Sequence, residues 1–136
     1  MCDYCDCRQH EPIASLSEEH DRLLALSVRI RAALDRDDGA AVEAGLGDLI
    51  AILEPHAERE ERGLFVALAA DEDLRACVPG LLAEHGRLHG PVDRSPAGVV
   101  AFLDDLASHI DREEHDVFPA ASQLLPAAAW TGLTAV

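Results

Sequence analysis

A ten-residue signature that occurs twice constrains this chain more than any other feature. Residues 56–65 read HAEREERGLF, and residues 109–118, which begin 53 positions later, read HIDREEHDVF. In both copies a histidine stands four residues before a glutamate, as His56 stands before Glu60. Because positions i and i+4 of an α-helix are offset by only about 40° around the axis, these side chains share one face. Each copy therefore predicts a helix that presents an imidazole and a carboxylate to one point.

A shorter pair of related segments precedes the two copies of the signature. Residues 19–24 read EHDRLL, and residues 84–89 read EHGRLH. The second segment places His85 and His89 one helical turn apart, and the first contributes His20. A single pair of this kind is usually an ordinary helix contact, but four segments in alternation predict one shared metal site. The candidate ligands are five histidines and two glutamates: His20, His56, Glu60, His85, His89, His109 and Glu113.

Length and charge favour a single domain and argue against several classes of partner. At 136 residues the chain can bury a sizeable core, and no apolar run approaches the roughly 18 to 20 residues of a membrane span. The N-terminus lacks the basic and apolar regions of a signal peptide, so we expect a cytoplasmic protein. A formal net charge of -15, with no cluster of Lys or Arg to offset it, would repel nucleic-acid phosphates and anionic lipid, so neither nucleic acid nor membrane is an expected partner.

The spacing of apolar residues predicts helices and no strands. Pro55 predicts a kink or a restart before His56, Ser95 is a predicted N-cap, and Pro119 marks a predicted helix end. The four predicted helices run from Ser15 or Ser17 to a stop at Asp37-Asp38-Gly39, from Ala40 to Ala70, from Pro79 to His89, and from Ala97 to Phe118.

Four helices joined by short loops predict an all-α, up-and-down four-helix bundle with a metal site in its core. We expect residues 15–136 to form this domain and residues 1–14 to form a cysteine-rich N-terminal segment. Residues 122–136 are expected to add a short helix or turn across the bundle.

The donor set favours a pair of iron ions over zinc. If Glu60 and Glu113 bridge two ions together with a solvent-derived oxo or hydroxo group, each ion gains three ligands before any histidine binds. Mixed imidazole and carboxylate ligation suits iron, whereas structural zinc prefers a closed tetrahedron of sulfur or imidazole ligands.

The repeat also suggests how five histidines divide between two ions. Aligning residues 19–24 with residues 84–89 puts Leu24 opposite His89. Our hypothesis is that three histidines, those at 85, 89 and 109, saturate one iron. The histidines at 20 and 56 then hold the other iron, and Leu24 borders its vacant position.

At these residues the chain resembles the hemerythrin-like proteins of the HHE cation-binding family. The likeness covers about residues 15–120 and rests on the seven candidate ligands, with Phe118-Pro119 behind the last of them. It implies a bundle with a non-haem di-iron centre that binds dioxygen, or in relatives senses oxygen or iron or reacts with peroxide or nitric oxide. Well-known hemerythrins place the second carboxylate five residues after its histidine, which makes Glu114 an alternative to Glu113.

The head of the chain carries a second possible site. Cys2, Cys5, Cys7 and His10 could form a Cys₃His zinc site, and Cys77 could replace His10 as the fourth ligand. A redox-active thiol cluster and a disordered head are the alternatives.

The sequence therefore predicts a di-iron protein that binds, stores or senses dioxygen. A di-iron enzyme acting on hydrogen peroxide or nitric oxide is the first alternative, because it needs the same open metal position. A metal or redox sensor that signals through the cysteine head is the second. The sequence leaves the oligomeric state open.

Overall fold

The computed structural model describes residues 11–133, and every regular element in that range is helical. The α-helices are α1 (Ile13–Asp35), α2 (Gly39–Arg59), α3 (Phe65–Ala70), α4 (Val78–Leu88), α5 (Pro96–Arg112), α6 (Phe118–Leu124) and α7 (Ala127–Leu133). The π-helical segments π1 (Glu60–Leu64) and π2 (Glu113–Val117) join α2 to α3 and α5 to α6, and a 3₁₀ turn (Arg75–Cys77) precedes α4.

Helix starts agree with the sequence where a side chain caps them. Ser95 is the N-cap of α5, and its Oγ accepts a hydrogen bond from the backbone N–H of Gly98 at 3.0 Å, as predicted. The start of α1 differs, because the helix begins at Ile13 with no side-chain cap. Ser15 lies inside α1, and its hydroxyl donates to the Glu11 carboxylate at 2.6 Å.

The prolines interrupt the helices less than expected. Helix α2 continues through Pro55, and the change in hydrogen-bond pattern comes only at Glu60, where π1 begins. Pro119 does not end the last long helix, which runs on to Leu124. It stands in the first turn of α6, directly after π2, and a proline is tolerated in a first turn because its missing N–H is not needed there. A short helix, α7, follows in the predicted tail.

Buried apolar side chains form two separate core clusters. The first includes Leu16, Leu64, Leu81 and Phe118, and the second includes Leu23, Leu53, Leu88 and Leu106, together with further residues of the same helices. A layer of buried histidine and glutamate side chains lies between them in chain order on every long helix. The helices therefore enclose one polar layer between two apolar ones.

Successive long helices cross this polar layer in opposite directions. Helix α1 starts in the first cluster and ends in the second, and α2 with π1 returns from the second to the first. Helices α4 and α5 repeat this alternation. In addition, α1 packs on α2 and α5, and α4 packs on α3 and α5. Within residues 11–133 no helix is both long and apolar enough to span a bilayer.

Candidate metal centre

Six of the seven predicted ligands meet in the buried polar layer. Each histidine lies on a different long helix and is at most 3% exposed, and both glutamates are fully buried at the first positions of π1 and π2. These six residues are His20 on α1, His56 on α2, His85 on α4, His109 on α5, Glu60 and Glu113.

Their donor atoms form two groups that share both carboxylates. His20 and His56 form one group with Glu60 and Glu113, and His85 and His109 form the other with the same two glutamates. Within each group one donor atom from every residue lies within 4.8 Å of all the others. The arrangement offers two neighbouring positions for cations, each with two imidazoles of its own.

The hydrogen bonding of these atoms supports a cation between them. Both oxygens of Glu60 and Glu113 and the Nε2 atoms of His20 and His56 are buried without a hydrogen-bond partner in residues 11–133. The Nε2 of His20 lies 3.2 Å from Oε1 of Glu113, but the pair lacks hydrogen-bond geometry. Burying such groups unpaired costs free energy, and a bound cation would remove that cost. The residues therefore fit a metal site.

A ring of outer carboxylates fixes the orientation of every imidazole. Each Nδ1 is hydrogen-bonded to a glutamate of another helix, which directs Nε2 toward the centre. The four pairs are His20 with Glu114 at 2.8 Å, His56 with Glu19 at 3.3 Å, His85 with Glu61 at 2.8 Å, and His109 with Glu84 at 3.0 Å.

The arrangement of the outer glutamates follows the internal repeat of the sequence. Glu19 and Glu84, which precede the first histidine of each half, hold the second histidine of the same half. Arg59 and Arg112 form ion pairs with these two glutamates at matching positions. The chain therefore builds the centre from two similar halves that face each other.

Burial shifts the pKa of three donors of the centre, Glu60, His56 and His85. Burial, followed by the nearby charge of Glu113, raises the pKa of Glu60 well above its ordinary value. Burial lowers the pKa of both His56 and His85, which favours the neutral imidazole that binds metals. Because metal ligands bind in their deprotonated form, cation binding at Glu60 is favoured as pH rises.

His89 does not join the six converging residues. It is exposed at the C-cap of α4, and its ring meets that of His85 edge-on, with centroids 5.7 Å apart. The expected sharing of one helix face fails because α4 ends at Leu88 and the chain turns away through Gly90. The structure therefore differs from the sequence hypothesis, which gave one iron three histidines.

Leu24 lies on a partly exposed side of α1. It is 36% exposed, whereas its neighbour Leu23 is fully buried in the second core cluster. The expectation that Leu24 borders a vacant metal position stays a prediction. The rings that do contact the histidines are Phe118, stacked on His20 at 5.5 Å, and Phe65, tilted against His85 at 5.0 Å.

The two adjacent glutamates of each π segment have different positions. Glu113 belongs to both donor groups, whereas Glu114 bonds to the outer nitrogen of His20. In π1, Glu60 and Glu61 divide in the same way. The structure thus places Glu113 in the shared position and Glu114 in a supporting one.

The sequence analysis assigned no role to Glu19 and Glu84. The signal was present, because each glutamate stands directly before a histidine in the shorter repeat. The residues of the predicted cysteine site, Cys2, Cys5, Cys7 and His10, lie outside the described residues. Cys77 is half-buried, and its thiol donates to the carbonyl of Leu74 at 2.9 Å.

The fold and the site define an all-helical protein with a buried cation site lined by imidazoles and carboxylates. The chain belongs to the hemerythrin HHE cation binding domain family, whose model matches residues 11–121. The resemblance expected from the sequence is thereby confirmed, and cation binding follows from membership of the family together with the donor groups.

One curated relative has a name that does not mention the hemerythrin family. The chain is 33% identical over 112 residues to a protein named glycine–tRNA ligase beta subunit from Rhodospirillum centenum (strain ATCC 51521 / SW). The similarity covers 78% of this chain and 16% of that protein, so this chain spans about a sixth of its relative's length. No solved structure matches the chain.

Proposed function

We propose that this protein is a non-haem di-iron protein that binds dioxygen at a carboxylate-bridged site inside an up-and-down four-helix bundle. The observation that carries the proposal is the pair of donor groups that share Glu60 and Glu113. Two ferrous ions at these positions would supply the two electrons that reversible dioxygen binding uses. The opposite directions in which successive helices cross the polar layer support the bundle topology.

The chemistry of the donors favours iron. Four imidazoles and two carboxylates, without a thiolate in the described part of the site, form a set that suits iron. A structural zinc site would be a closed tetrahedron of cysteine and histidine. The two carboxylates also supply negative charge between the cations. Zinc at the N-terminal cysteines remains a separate prediction.

The protein contributes orientation and a dry site. Apolar clusters on both sides of the polar layer exclude water, and the rings of Phe65 and Phe118 cover two of the imidazoles. The outer glutamates keep the Nδ1 nitrogens occupied, so that only Nε2 faces the centre. A preorganised site of this kind limits ligands to small molecules such as dioxygen.

A second candidate is an enzyme that turns over hydrogen peroxide or nitric oxide. The exposed position of His89 favours it, because each ion is left with only two imidazoles. Open positions on both ions would let a small substrate contact the two metals at once. Catalytic turnover, as opposed to stoichiometric reversible binding, separates this candidate from the first.

We further propose that the protein acts in the cytoplasm without nucleic acid or membrane as a partner, on the basis of its charge of -15. We also propose that residues 15–136 form the metal-binding domain.

The first test is elemental analysis of anaerobically purified protein, followed by visible spectra before and after air is admitted. Two irons per chain and an absorption band that appears with oxygen and reverses on its removal are the expected results. Iron that oxidises without a reversible band would favour peroxide or nitric oxide chemistry, and one iron or none would refute the di-iron proposal. Glu113→Ala should lose metal, whereas Glu58→Ala, which removes an exposed glutamate paired with Arg62, should not.

A further inference from the structure

The four outer glutamates are not equally anchored. Three of them have a second partner besides their histidine: Arg59 binds Glu19, Arg112 binds Glu84, and the hydroxyl of Ser17 donates to Glu114 at 3.1 Å. Glu61 contacts only His85 within residues 11–133. Glu61 is therefore the one outer glutamate that can move without breaking a hydrogen bond or ion pair other than its bond to His85.

The same glutamate is the most accessible of the four. The side chain of Glu61 is 41% exposed, whereas the other three are between 12% and 20% exposed. His85 is also the imidazole farthest from a shared carboxylate, with 3.7 Å from its Nε2 to Oε1 of Glu60. The matching distances for the other three histidines are 2.8 to 3.2 Å. The outer support is therefore most exposed, and the shared carboxylates are farthest, at His85. We call the side of the centre that contains His85 and Glu61 the His85 corner.

An exposed histidine, His89, lies next to His85 on the outside of the centre. His89 touches the ring of His85 and lines a cleft of about 290 Å³ between α2 and the end of α4. Glu54 lines the same cleft, and Leu53 and Leu88 are buried beside it. Arg94 also lines the cleft, but Glu43 pairs with its charge at 3.4 Å. An imidazole and a carboxylate are thus available to a cation just outside the centre.

A rival route exists at the side of the centre that contains His109 and Glu84. A polar cavity of about 460 Å³ touches His109, and several aspartates line it. Two guanidinium groups, Arg87 and Arg112, line it as well, and Arg112 holds Glu84 in place. Charge does not close this cavity, because the carboxylates of Glu84 and three aspartates outnumber the two guanidinium groups. It is the poorer route because Glu84, which holds His109, cannot move without breaking its ion pair with Arg112.

We propose that divalent metal ions enter the centre at the His85 corner, and that His89 and Glu54 hold the incoming ion before Glu61 and His85 admit it. This inference rests on the proposed two-metal function. It gives His89 a role in access to the centre, although His89 is not among the converging donors.

The test is the kinetics of Co²⁺ uptake by the metal-free, full-length protein, followed by the visible absorption of the bound ion. His89→Ala and Glu54→Gln should each slow uptake about threefold to tenfold, because a charged or metal-binding group at an entrance raises the local cation concentration. His115→Ala and Glu58→Gln are matched controls, since both residues are exposed and lie outside the cleft. The controls should take up Co²⁺ at the wild-type rate.

Equilibrium and release measurements separate an entrance from a ligand. A residue that acts only on passage slows uptake and extraction by a chelator by the same factor, so the affinity and the count of two Co²⁺ per chain stay unchanged. Unchanged rates in both cleft variants would overturn the inference, and so would a loss of affinity in His89→Ala. A larger delay in Asp105→Asn, which alters the rival cavity, would contradict it too. Failure of the wild-type protein to bind two Co²⁺ would instead refute the proposed function.

Discussion

The hydrogen bond between Glu84 and His109 should control the affinity of one metal position. Glu84 accepts a hydrogen bond from Nδ1 of His109 at 3.0 Å and is 14% exposed. Removal of an outer partner of a metal-binding histidine typically lowers metal affinity 10- to 100-fold, which corresponds to about 1.4 to 2.7 kcal/mol. Glu84→Ala should therefore weaken the position that contains His109 and leave the other position nearly unchanged. Anaerobic competition for Fe²⁺ with a chromophoric chelator resolves the two binding steps.

The internal symmetry supplies a matched comparison. Glu19→Ala should produce the same loss at the position that contains His56, because Glu19 holds that ring as Glu84 holds His109. Asp105→Ala is the charge control, since Asp105 lines the same cavity as Glu84 but makes no contact with a ligand. Equal weakening of both positions by Glu84→Ala, or a change below about threefold, would refute this reasoning.

Three further predictions concern stability and reactivity. Phe118→Ala should lower the free energy of unfolding by about 3–5 kcal/mol, since the fully buried ring packs on His20, whereas exposed Val66 should tolerate alanine within about 0.5 kcal/mol; chemical denaturation measures both. Metal at 100 times its dissociation constant should stabilise the protein by about 2.7 kcal/mol for each occupied position, measured by thermal denaturation with and without metal; equal melting temperatures would contradict this. Burial raises the pKa of the Cys77 thiol, so alkylation by iodoacetamide near pH 7 should be slower than that of a free cysteine and should accelerate as pH rises, followed by mass spectrometry.

The sequence could predict the helices and most of the donor set because both depend on local spacing. A histidine and a glutamate four residues apart share a helix face whatever surrounds them, and both such pairs occupy the buried polar layer. The cap at Ser95 is likewise a local interaction. The two His/Glu pairs and the Ser95 cap, which each depend on one turn of one helix, therefore agree with the structure.

Predictions that depended on how helices end or meet were less successful. His85 and His89 have the required spacing, but α4 ends at Leu88 and leaves His89 exposed. The face of Leu24 depends on how α1 packs, which the repeat alignment does not contain, so its place beside a vacant metal position stays a prediction. The bond from Glu19 to His56 joins residues 37 positions apart, and no local pattern reports such a contact.

In each π segment one short motif supplies both a shared donor and an outer support. Each begins with two adjacent glutamates, and α-helical geometry alone would rotate neighbours apart by about 100°. In both segments the first glutamate reaches the shared position and the second reaches a histidine on another helix. Rare π turns at matching positions of a repeat are consistent with a functional constraint. The two halves thus match in their donor groups, and they differ in exposure, because only Glu61 among the outer glutamates is both exposed and singly held within residues 11–133. In the entry route that we propose, this one singly held support would let a metal ion reach the buried site while the other three supports keep their contacts.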